Sequence, residues 1–306
     1  MPGKNDVLQH MIQLEIESFL LDRKIAGKAE NTIAYYQQEL GIFRKLCENL
    51  DIFSIEDLSP SIIRKCAHDL MKRRSPGGLH AFGRAIKAFL NWFEKEEEIE
   101  NWKNPIRKVG QIGKANQDAL PGATPTEIKA MIAACGKNTI GLRNRAILYL
   151  LYDTGIRVTE LCNIDYGDVD FDSGIIFLKK VKGGKPGFAF MGVTCKRELL
   201  RYLRHRRKPT KNEPLFLSRT KQRLTRRAIE TVHHDICIRV GIESKPSPHD
   251  FRRAFTKTSL KKNDIVTVSR LMNLKDTTVI KRYYHQDEHD LANAHDLSSP
   301  ADTLGK

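Results

Sequence analysis

A stretch rich in turn-forming residues, from position 101 to position 122, divides the sequence into two parts. Asparagine, proline and glycine recur along it, from Asn104-Pro105 to Pro121-Gly122, with basic residues between them. This composition favours an extended linker over a helix or a strand. A chain of 306 residues is long enough for two domains that each bury a core. We predict an N-terminal domain over 1–103, a basic linker over 104–122 and a C-terminal domain over 123–306.

Before the linker, apolar residues recur with the three- and four-residue spacing of amphipathic helices. Asn31 and Ser59-Pro60 have the chemistry of helix starts, since they offer a capping side chain and, at 60, a proline suited to the first turn. The four apolar stripes are Leu8, Ile12, Ile16 and Phe19; Ile33, Tyr36, Leu40, Phe43 and Cys47; Ile62, Ile63, Cys66 and Leu70; and Leu79, Phe82, Ile86, Phe89 and Phe93. They predict four helices around one core.

The charge balance indicates a polyanion as partner. Lysine and arginine number 52 against 37 acidic residues, which gives a net charge of +15. Neutralising phosphates and releasing their counterions drives the binding of such proteins to nucleic acid, although a merely soluble basic protein has the same balance. The six cysteines have no metal-ligand spacing and are predicted to be buried thiols in a reducing compartment. No metal and no cofactor are predicted. Without a membrane-spanning or secretory pattern, we expect a cytoplasmic, nucleoid-associated protein.

The second half opens with a helix start and then brings an arginine beside a glutamate. Thr124-Pro125-Thr126-Glu127 is a capping box with proline at the first helical position. An apolar helix is predicted from Leu142 to Asp153, and Gly155 suits its end. Arg157 and Glu160 follow, three residues apart, so the carboxylate can hold the guanidinium and leave other N–H groups for an anion. A buried pair that only joins two helices has the same pattern.

Two strand-like runs flank a lysine- and glycine-rich segment. Ile175 to Val181 and Phe188 to Val193 are the runs, and Lys182-Gly183-Gly184-Lys185-Pro186-Gly187 lies between them. The pattern predicts a β-hairpin with a basic tip. Farther on, Thr194 to Arg207 and Ala228 to Val240 are predicted helices. The sequence His233-His234-Asp235 is not a predicted metal site, because adjacent residues on a helix point apart.

A histidine and an arginine lie one helical turn apart in His249-Asp250-Phe251-Arg252. Ser247-Pro248 before them is a helix start, where free N–H groups and the helix dipole favour anions. We therefore predict a pocket for a phosphate oxygen at His249 and Arg252. An arginine paired with a carboxylate and a surface histidine are the alternative interpretation.

These motifs occur in an order that resembles the tyrosine recombinase family, which includes phage integrases and Xer-like proteins. The similarity extends over roughly residues 8 to 285. It is carried by TGIRVTEL at 154–161, the lysine hairpin, the HxxR motif at 249–252, Leu271-Met272-Asn273-Leu274 and then Tyr283. The resemblance implies a mostly α fold with a small β-sheet. It consists of an N-terminal four-helix core-binding (SAM-like) domain and an α+β tyrosine-recombinase catalytic domain.

The resemblance also implies a role for each motif residue. Tyr283 would be the nucleophile that forms a 3′-phosphotyrosine, with the adjacent Tyr284 as the competing candidate. Arg157, His249 and Arg252 would bind the phosphate, and Glu160 would orient Arg157. Lys182 would protonate the leaving oxygen, with Lys185 as its competitor. Leu274 stands where the family has histidine or tryptophan. Both of those side chains can donate a hydrogen bond, and leucine cannot.

Double-stranded DNA is the partner that the resemblance implies, bound by four protomers on two sites, with the C-terminal tail from His285 docking on a neighbour. Basic residues outside the motifs are predicted phosphate contacts. They are Lys72, Arg73, Arg74, Arg84, Lys87, Lys185, Arg206, Arg207, Arg226 and Arg227. The favoured function is a metal-independent site-specific recombinase acting in integration, excision or replicon resolution. A relaxing type IB topoisomerase and a non-cutting DNA-binding protein on the same fold are the alternatives.

Overall fold

The computed structural model describes residues 11–97, 99, 102–113, 122–179, 186–274, 276–277 and 280. The chain divides into two compact units, Met1–Gln117 and Asp118–Lys306, so the division falls inside the predicted linker. Each unit has a hydrophobic core of its own. No helix in these described ranges is both long and apolar enough to cross a membrane.

The first unit is built from four helices, as its apolar stripes predict. Ser59 and Ser75 cap the third and fourth of them, each accepting a backbone N–H of the first turn, and a proline follows both serines. The second helix begins earlier than predicted, because the carbonyl of Ala29 already accepts the N–H of Thr32. Asn31 is therefore inside the first turn and is not the cap. The helices are α1 (Ile12–Ile25), α2 (Glu30–Glu48), α3 (Pro60–Met71) and α4 (Pro76–Glu96).

Aromatic side chains fill the core of the first unit. The ring of Phe19 packs edge-on against Tyr36, Phe89 and Trp92, with ring centroids 5.1–5.7 Å apart. Burying each such side chain contributes about 1.5–3 kcal/mol to folding. The stripe predicted on α4 is buried along its whole length, from Leu79 to Phe93.

The first part of the predicted linker belongs structurally to the first unit. Asn104 is buried and donates from Nδ2 to the Leu90 carbonyl at 3.1 Å, while its Oδ1 accepts the N–H of Ile106. A short 3₁₀ helix, Pro105–Lys108, follows. Ile112 then packs so closely on Gly83 that a Cβ there would lie 2.7 Å away. Turn-forming residues therefore mark a segment that packs on the first unit here, and not an extended linker. Asparagine allows this because its side chain can hydrogen-bond the backbone groups of a turn.

The second unit is mostly helical and contains one small antiparallel sheet, which confirms the predicted fold class. Its three described strands pair in chain order. Its strands are β1 (Val169–Asp170), β2 (Ile175–Leu178) and β3 (Gly187–Phe190). The helices are α5 (Pro125–Ala133), α6 (Thr139–Thr154), α7 (Val158–Cys162), α8 (Val193–Arg204), α9 (Arg226–Val240), α10 (Pro248–Leu260) and α11 (Ile265–Leu271).

Helix α6 lies at the centre of this unit and ends where the predicted site begins. It packs against α5, α8 and α10, and most of its apolar side chains are buried. Gly155 ends it with φ 60°, a conformation that favours glycine. A Cβ at this position would also lie 2.3 Å from the ring of Phe255. Glycine is therefore required at 155 for both backbone conformation and packing.

The chain enters the second unit against α10. The N–H of Ala123 donates to the carbonyl of Asp250 at 3.1 Å. A Cβ on Gly122 would lie 2.6 Å from the backbone nitrogen of Ala254. Thr124 and Glu127 then form the predicted capping box at the start of α5. The entry point is thus fixed to the helix that carries the HxxR motif.

Candidate active site

Arg157 and Glu160 form the pair that their spacing predicts. Arg157 precedes α7, and its Nη1 lies 2.7 Å from Oε1 of Glu160. The second carboxylate oxygen accepts the backbone N–H of Arg157 at 2.8 Å. Glu160 is buried, whereas the arginine side chain remains partly open to solvent. One carboxylate therefore fixes both the side chain and the backbone of Arg157 and leaves part of the guanidinium accessible.

His249 and Arg252 lie on the first turns of α10, as predicted. Oδ2 of Asp250 accepts both the N–H and the hydroxyl of Ser247, at 2.8 and 2.7 Å. Its other oxygen binds Arg253 at 2.6 Å. The acidic residue of the motif therefore closes the helix start rather than facing the phosphate site.

Arg252 is buried and anchored from two sides. Only 7% of the residue is exposed. Its guanidinium donates to the carbonyl of Gly155, at the end of α6, and to the carbonyl of Met272, 3.0 Å away after α11. A buried cation needs such partners, because an uncompensated charge in the interior costs several kcal/mol. These bonds hold the arginine in place and tie three helices together at one point.

Arg157, His249 and Arg252 line a single cavity of about 400 Å³. Its other walls come from residues 156, 158–159, 226, 230 and 247–248. Partial desolvation lowers the pKa of His249, and the positive charges of Arg253 and Arg252 lower it further. A lowered pKa favours the neutral imidazole, which offers one N–H and one acceptor beside two fixed cations. The cavity thus suits a singly charged anion with several oxygens, such as a phosphodiester.

Comparison with known proteins identifies the family of this chain. Residues 123–290 match the model of the family described as "Phage integrase family". The chain belongs to the phage integrase family of tyrosine recombinases. A tyrosine recombinase XerC from Anoxybacillus flavithermus is 29% identical over 266 residues, which are 84% of this chain and 87% of the relative. Tyrosine recombinase XerA from Pyrococcus furiosus is also 29% identical over 266 residues, with 84% of each chain covered.

Solved structures of integrases share the fold. A lambda integrase tetramer bound to a Holliday junction has a TM-score of 0.76 at 14% identity, over 91% of this chain and 78% of that one. The Tn1549 transposon integrase in complex with a circular intermediate DNA has a TM-score of 0.75 at 16% identity, over 94% and 98%. At these identities the similarity establishes the architecture of this family member.

Several predicted catalytic residues of this integrase-family chain lie outside the described residues. They are Lys182, Lys185, Tyr283 and the competing Tyr284. The two hairpin arms next to the lysines are described, and β2 pairs antiparallel with β3 through Phe177 opposite Phe188. Leu274 is described: it is half-buried and packs with the cluster of Val268, Met272 and Ile280.

The predicted phosphate contacts that lie in the described ranges differ in how exposed they are. Lys72, Arg73, Arg84, Lys87, Arg207, Arg226 and Arg227 are exposed. Arg74 instead binds the buried carboxylate of Glu39. Arg206 requires a correction, since only 6% of its side chain is exposed and its Nη1 donates to the carbonyls of Pro214 and Leu215. It supports a loop, because α8 ends at Arg204 and the chain turns back there.

The sequence reasoning missed three features of this site: the place of Arg226 in the cavity, the ion pairs of Asp165 next to the hairpin, and Asn273. Arg226 was predicted as a general phosphate contact, but it lines the cavity itself and binds Glu230 at 2.7 Å. Lys179, directly after β2, binds the carboxylates of Asp165 and Asp168. Arg223 binds Asp165 as well, so the end of β2 is tied to the loop after α7. The excess of charge near the hairpin was a signal, but pairs 14 and 58 residues apart are not readable from it.

The third missed feature is Asn273. It adopts a left-handed backbone with φ 51° and hydrogen-bonds to the strand β3. Throughout the described ranges, no group of three or more histidine, cysteine, aspartate or glutamate side chains is arranged to hold a metal ion. His233, from the sequence His233-His234-Asp235, is instead buried edge-on against Phe251 with ring centroids 4.9 Å apart.

Proposed function

We propose that this protein is a site-specific DNA recombinase that cuts and rejoins duplex DNA through a 3′-phosphotyrosine, without a metal ion or cofactor. One observation carries the proposal: Arg157, His249 and Arg252 converge on one cavity of about 400 Å³. Membership of the tyrosine recombinase family supports the reaction class. A phosphodiester resists nucleophiles because it is negatively charged, and a cavity with two fixed cations reduces that barrier.

In the proposed reaction each residue acts on a defined atom. Tyr283 loses its phenol proton to solvent and attacks phosphorus through the phenol oxygen, and the bond from phosphorus to the 5′ oxygen breaks. Arg157 and Arg252 stabilise the charge that develops on the non-bridging oxygens, while Glu160 keeps Arg157 in place. The neutral His249 donates a hydrogen bond to the same phosphate. Lys182 gives its proton to the departing 5′ oxygen, and attack by the 5′ hydroxyl of a partner strand reverses these steps.

Duplex DNA and a tetramer on two sites are the proposed partners. The lambda integrase in the similar structure is a tetramer bound to a Holliday junction, and another is a dimer bound to a core site. The net charge of +15 supports DNA binding here. The acidic tail that begins at His285 is the proposed contact with a neighbouring protomer.

The two units are proposed to hold DNA together as tethered modules. A tether raises the effective concentration of the second module once the first has bound. Fragments that end or begin at Gly122 are therefore expected to bind DNA more weakly than the whole chain. Equal affinity of the C-terminal fragment and the full protein would remove the two-module grip from the proposal.

The decisive experiment captures the covalent intermediate. Purified protein is incubated with total DNA of the organism that encodes it, denatured and digested with protease, and the DNA that keeps a tyrosine-linked peptide is sequenced. We expect one short recurrent sequence at the attachment point, with the peptide on the 3′ phosphate. Attachment without a recurrent sequence would favour a relaxing topoisomerase. A second assay joins two differently labelled duplexes that carry the captured sequence, because only a recombinase exchanges their arms.

A second function has one observation in its favour. Leu274 supplies no hydrogen-bond donor and packs in an apolar cluster, which suits a protein that binds DNA without cutting it. Such a protein would retain tight DNA binding and leave no covalent DNA in the capture experiment. Recovery of a single tyrosine-linked fragment species would exclude it.

A further inference from the structure

Asn273 pairs with the backbone of a strand that lies 85 residues away in the sequence. Its side-chain Nδ2 donates to the carbonyl of Phe188 at 2.7 Å. The N–H of Phe188 donates back to Oδ1 of the same amide at 3.2 Å. This orientation of the amide is required, since the peptide offers one donor and one acceptor. The side chain therefore binds β3 in the way that a neighbouring strand would.

The strand needs such a partner. In the sheet order β1-β2-β3, no further strand of the described residues pairs with β3 on its outer side. Unpaired peptide groups at a sheet edge bind water or another chain, and the arm remains free to bend. Asn273 satisfies both groups of one residue in the middle of the strand.

The backbone of Asn273 makes this contact possible. Its φ of 51° lies in the left-handed region, where asparagine is tolerated and glycine is favoured. Glycine would adopt this conformation without strain, but it would leave the peptide of Phe188 unpaired. The position therefore offers a substitution that removes the amide and keeps the backbone.

A short path connects this contact to the cavity. The residue before Asn273 is Met272, whose carbonyl accepts a hydrogen bond from Arg252 at 3.0 Å. On the other side, the N–H of Leu274 donates to the carbonyl of Ser269 at 2.9 Å. The segment 272–274 is thus hydrogen-bonded to α11 and to the buried Arg252, and Asn273 connects it to β3 of the hairpin.

We propose that Asn273 is a positioning residue that holds the lysine-bearing hairpin in register with Arg252 during DNA cleavage. The proposal rests on the recombinase function above. Lys185 and Lys182 precede Phe188 by three and six residues. Fixing Phe188 therefore fixes the strand that follows this lysine-bearing segment. A general acid needs closer placement than a free arm gives, because proton transfer requires hydrogen-bond distance.

The test separates the hairpin from the rest of the site through the leaving group. A 5′-bridging sulfur departs without a proton, whereas a 5′-bridging oxygen needs one. Single-turnover cleavage is measured for both linkages in a suicide substrate that carries the captured target sequence. The variants are Asn273→Gly, which keeps the left-handed backbone, and the control Asn263→Gly. Asn263 lies near the end of α10, and its Nδ2 donates only locally to the carbonyl of Ser259, at 3.1 Å.

We expect Asn273→Gly to cut the oxygen-linked substrate about tenfold more slowly, a part of the 10²–10⁴ that a general acid contributes. Cleavage of the sulfur-linked substrate should stay within about threefold of the wild-type rate, a change of about 0.6 kcal/mol in activation free energy. Asn263→Gly should match wild type on both. Equal rates for Asn273→Gly and wild type on the oxygen linkage would overturn the proposal. An equal loss on both linkages would do so as well, because it indicates a general disturbance of the site.

A second measurement needs no DNA. Hydrogen exchange of the full-length protein is followed in peptides that span 186–192. Loss of the amide contact should speed the exchange of the Phe188 N–H in Asn273→Gly and leave it unchanged in Asn263→Gly. Unchanged exchange in both variants would show that the contact does not hold the strand. A wild-type protein that forms no covalent DNA adduct would instead overturn the proposed function, and the exchange result would still stand.

Discussion

The Glu160 carboxylate contacts Arg157 twice: Oε1 accepts from the guanidinium at 2.7 Å, and Oε2 accepts the backbone N–H of Arg157 at 2.8 Å. The contact is local, but its effect is to aim a guanidinium into the cavity that also contains His249 and Arg252. A carboxylate in this position belongs to the orientation of the site, because it touches no atom that reacts in the proposed chemistry.

Replacing Glu160 is expected to affect cleavage more than stability alone explains. Glu160→Ala frees the guanidinium and should lower single-turnover cleavage about 10²-fold, as the loss of a fixed oxyanion donor does. Glu198→Ala is the matched control, because Glu198 is 6% exposed against 4% for Glu160 and also pairs with an arginine, Arg145. Both changes should cost about 1–3 kcal/mol of unfolding free energy. Equal cleavage by the two variants under folding conditions would contradict the orienting role.

The nucleophile is tested by two neighbouring substitutions. Tyr283→Phe should bind DNA with unchanged affinity and form no covalent adduct, because it lacks the attacking oxygen. Tyr284→Phe should still form the adduct. Adducts are counted by the shift of labelled suicide substrate in a denaturing gel. If only Tyr284→Phe abolishes the adduct, the nucleophile is Tyr284.

The general acid is identified by the same oxygen and sulfur linkages that test Asn273. Lys182→Ala should cleave the oxygen linkage about 10²–10⁴-fold more slowly and regain near wild-type rates on sulfur. Tyr283→Phe should be inactive on both linkages. Lys185→Ala serves as the paired variant, and rescue of Lys185→Ala alone would assign the general acid to Lys185.

Leu274 is expected to act through packing. The side chain contacts the cluster of Val268, Met272 and Ile280. Removing a buried leucine side chain typically costs about 2–5 kcal/mol, and less at a half-buried position. Leu274→Ala should therefore slow cleavage by displacing the segment that leads to Tyr283. Leu274→His should cut at the wild-type rate or faster, since it adds a donor. Wild-type cleavage by Leu274→Ala would leave this packing without a role.

Buried His233 makes the stability of the second unit depend on pH. Burial lowers the pKa of His233 to about 4. The Pro246 carbonyl and the charges of Asp250 and Glu230 raise this pKa, but by less than burial lowers it. Between pH 6.5 and 4 the unfolded chain binds a proton that the folded chain does not, so stability falls as pH decreases. The loss is about 3 kcal/mol over this window. Calorimetry should show a flatter pH profile for His233→Leu, while His234→Leu, at an exposed neighbour, keeps the wild-type slope.

Local patterns were readable from the sequence because their physics is local. The Ser59 cap, the Thr124–Glu127 box, Gly155 and the Arg157–Glu160 pair all involve residues at most four positions apart. Helix periodicity likewise predicted the core of the first unit. The start of α2 was misjudged, since a backbone carbonyl at Ala29 began the helix before the better capping side chain of Asn31.

Contacts between distant segments were not readable. Arg252 binds carbonyls that lie 97 and 20 residues away, and no side-chain pattern marks a carbonyl as an acceptor. Arg206 was misassigned for the same reason, because a basic run predicts surface charge and does not show which of its members turns inward. The asparagine at 273 carries no sign of its backbone conformation, so its bond to β3 emerges only from the fold.

The attachment of Gly122 and Ala123 to α10 determines how modules can be exchanged in this protein. A chimera in which another N-terminal unit is joined upstream of residue 122 keeps this attachment. A junction that replaces Gly122 places a side chain against the backbone of Ala254. That side chain would displace the helix that carries His249 and Arg252. Target specificity can therefore be changed by grafting only if this glycine is inherited with the catalytic part.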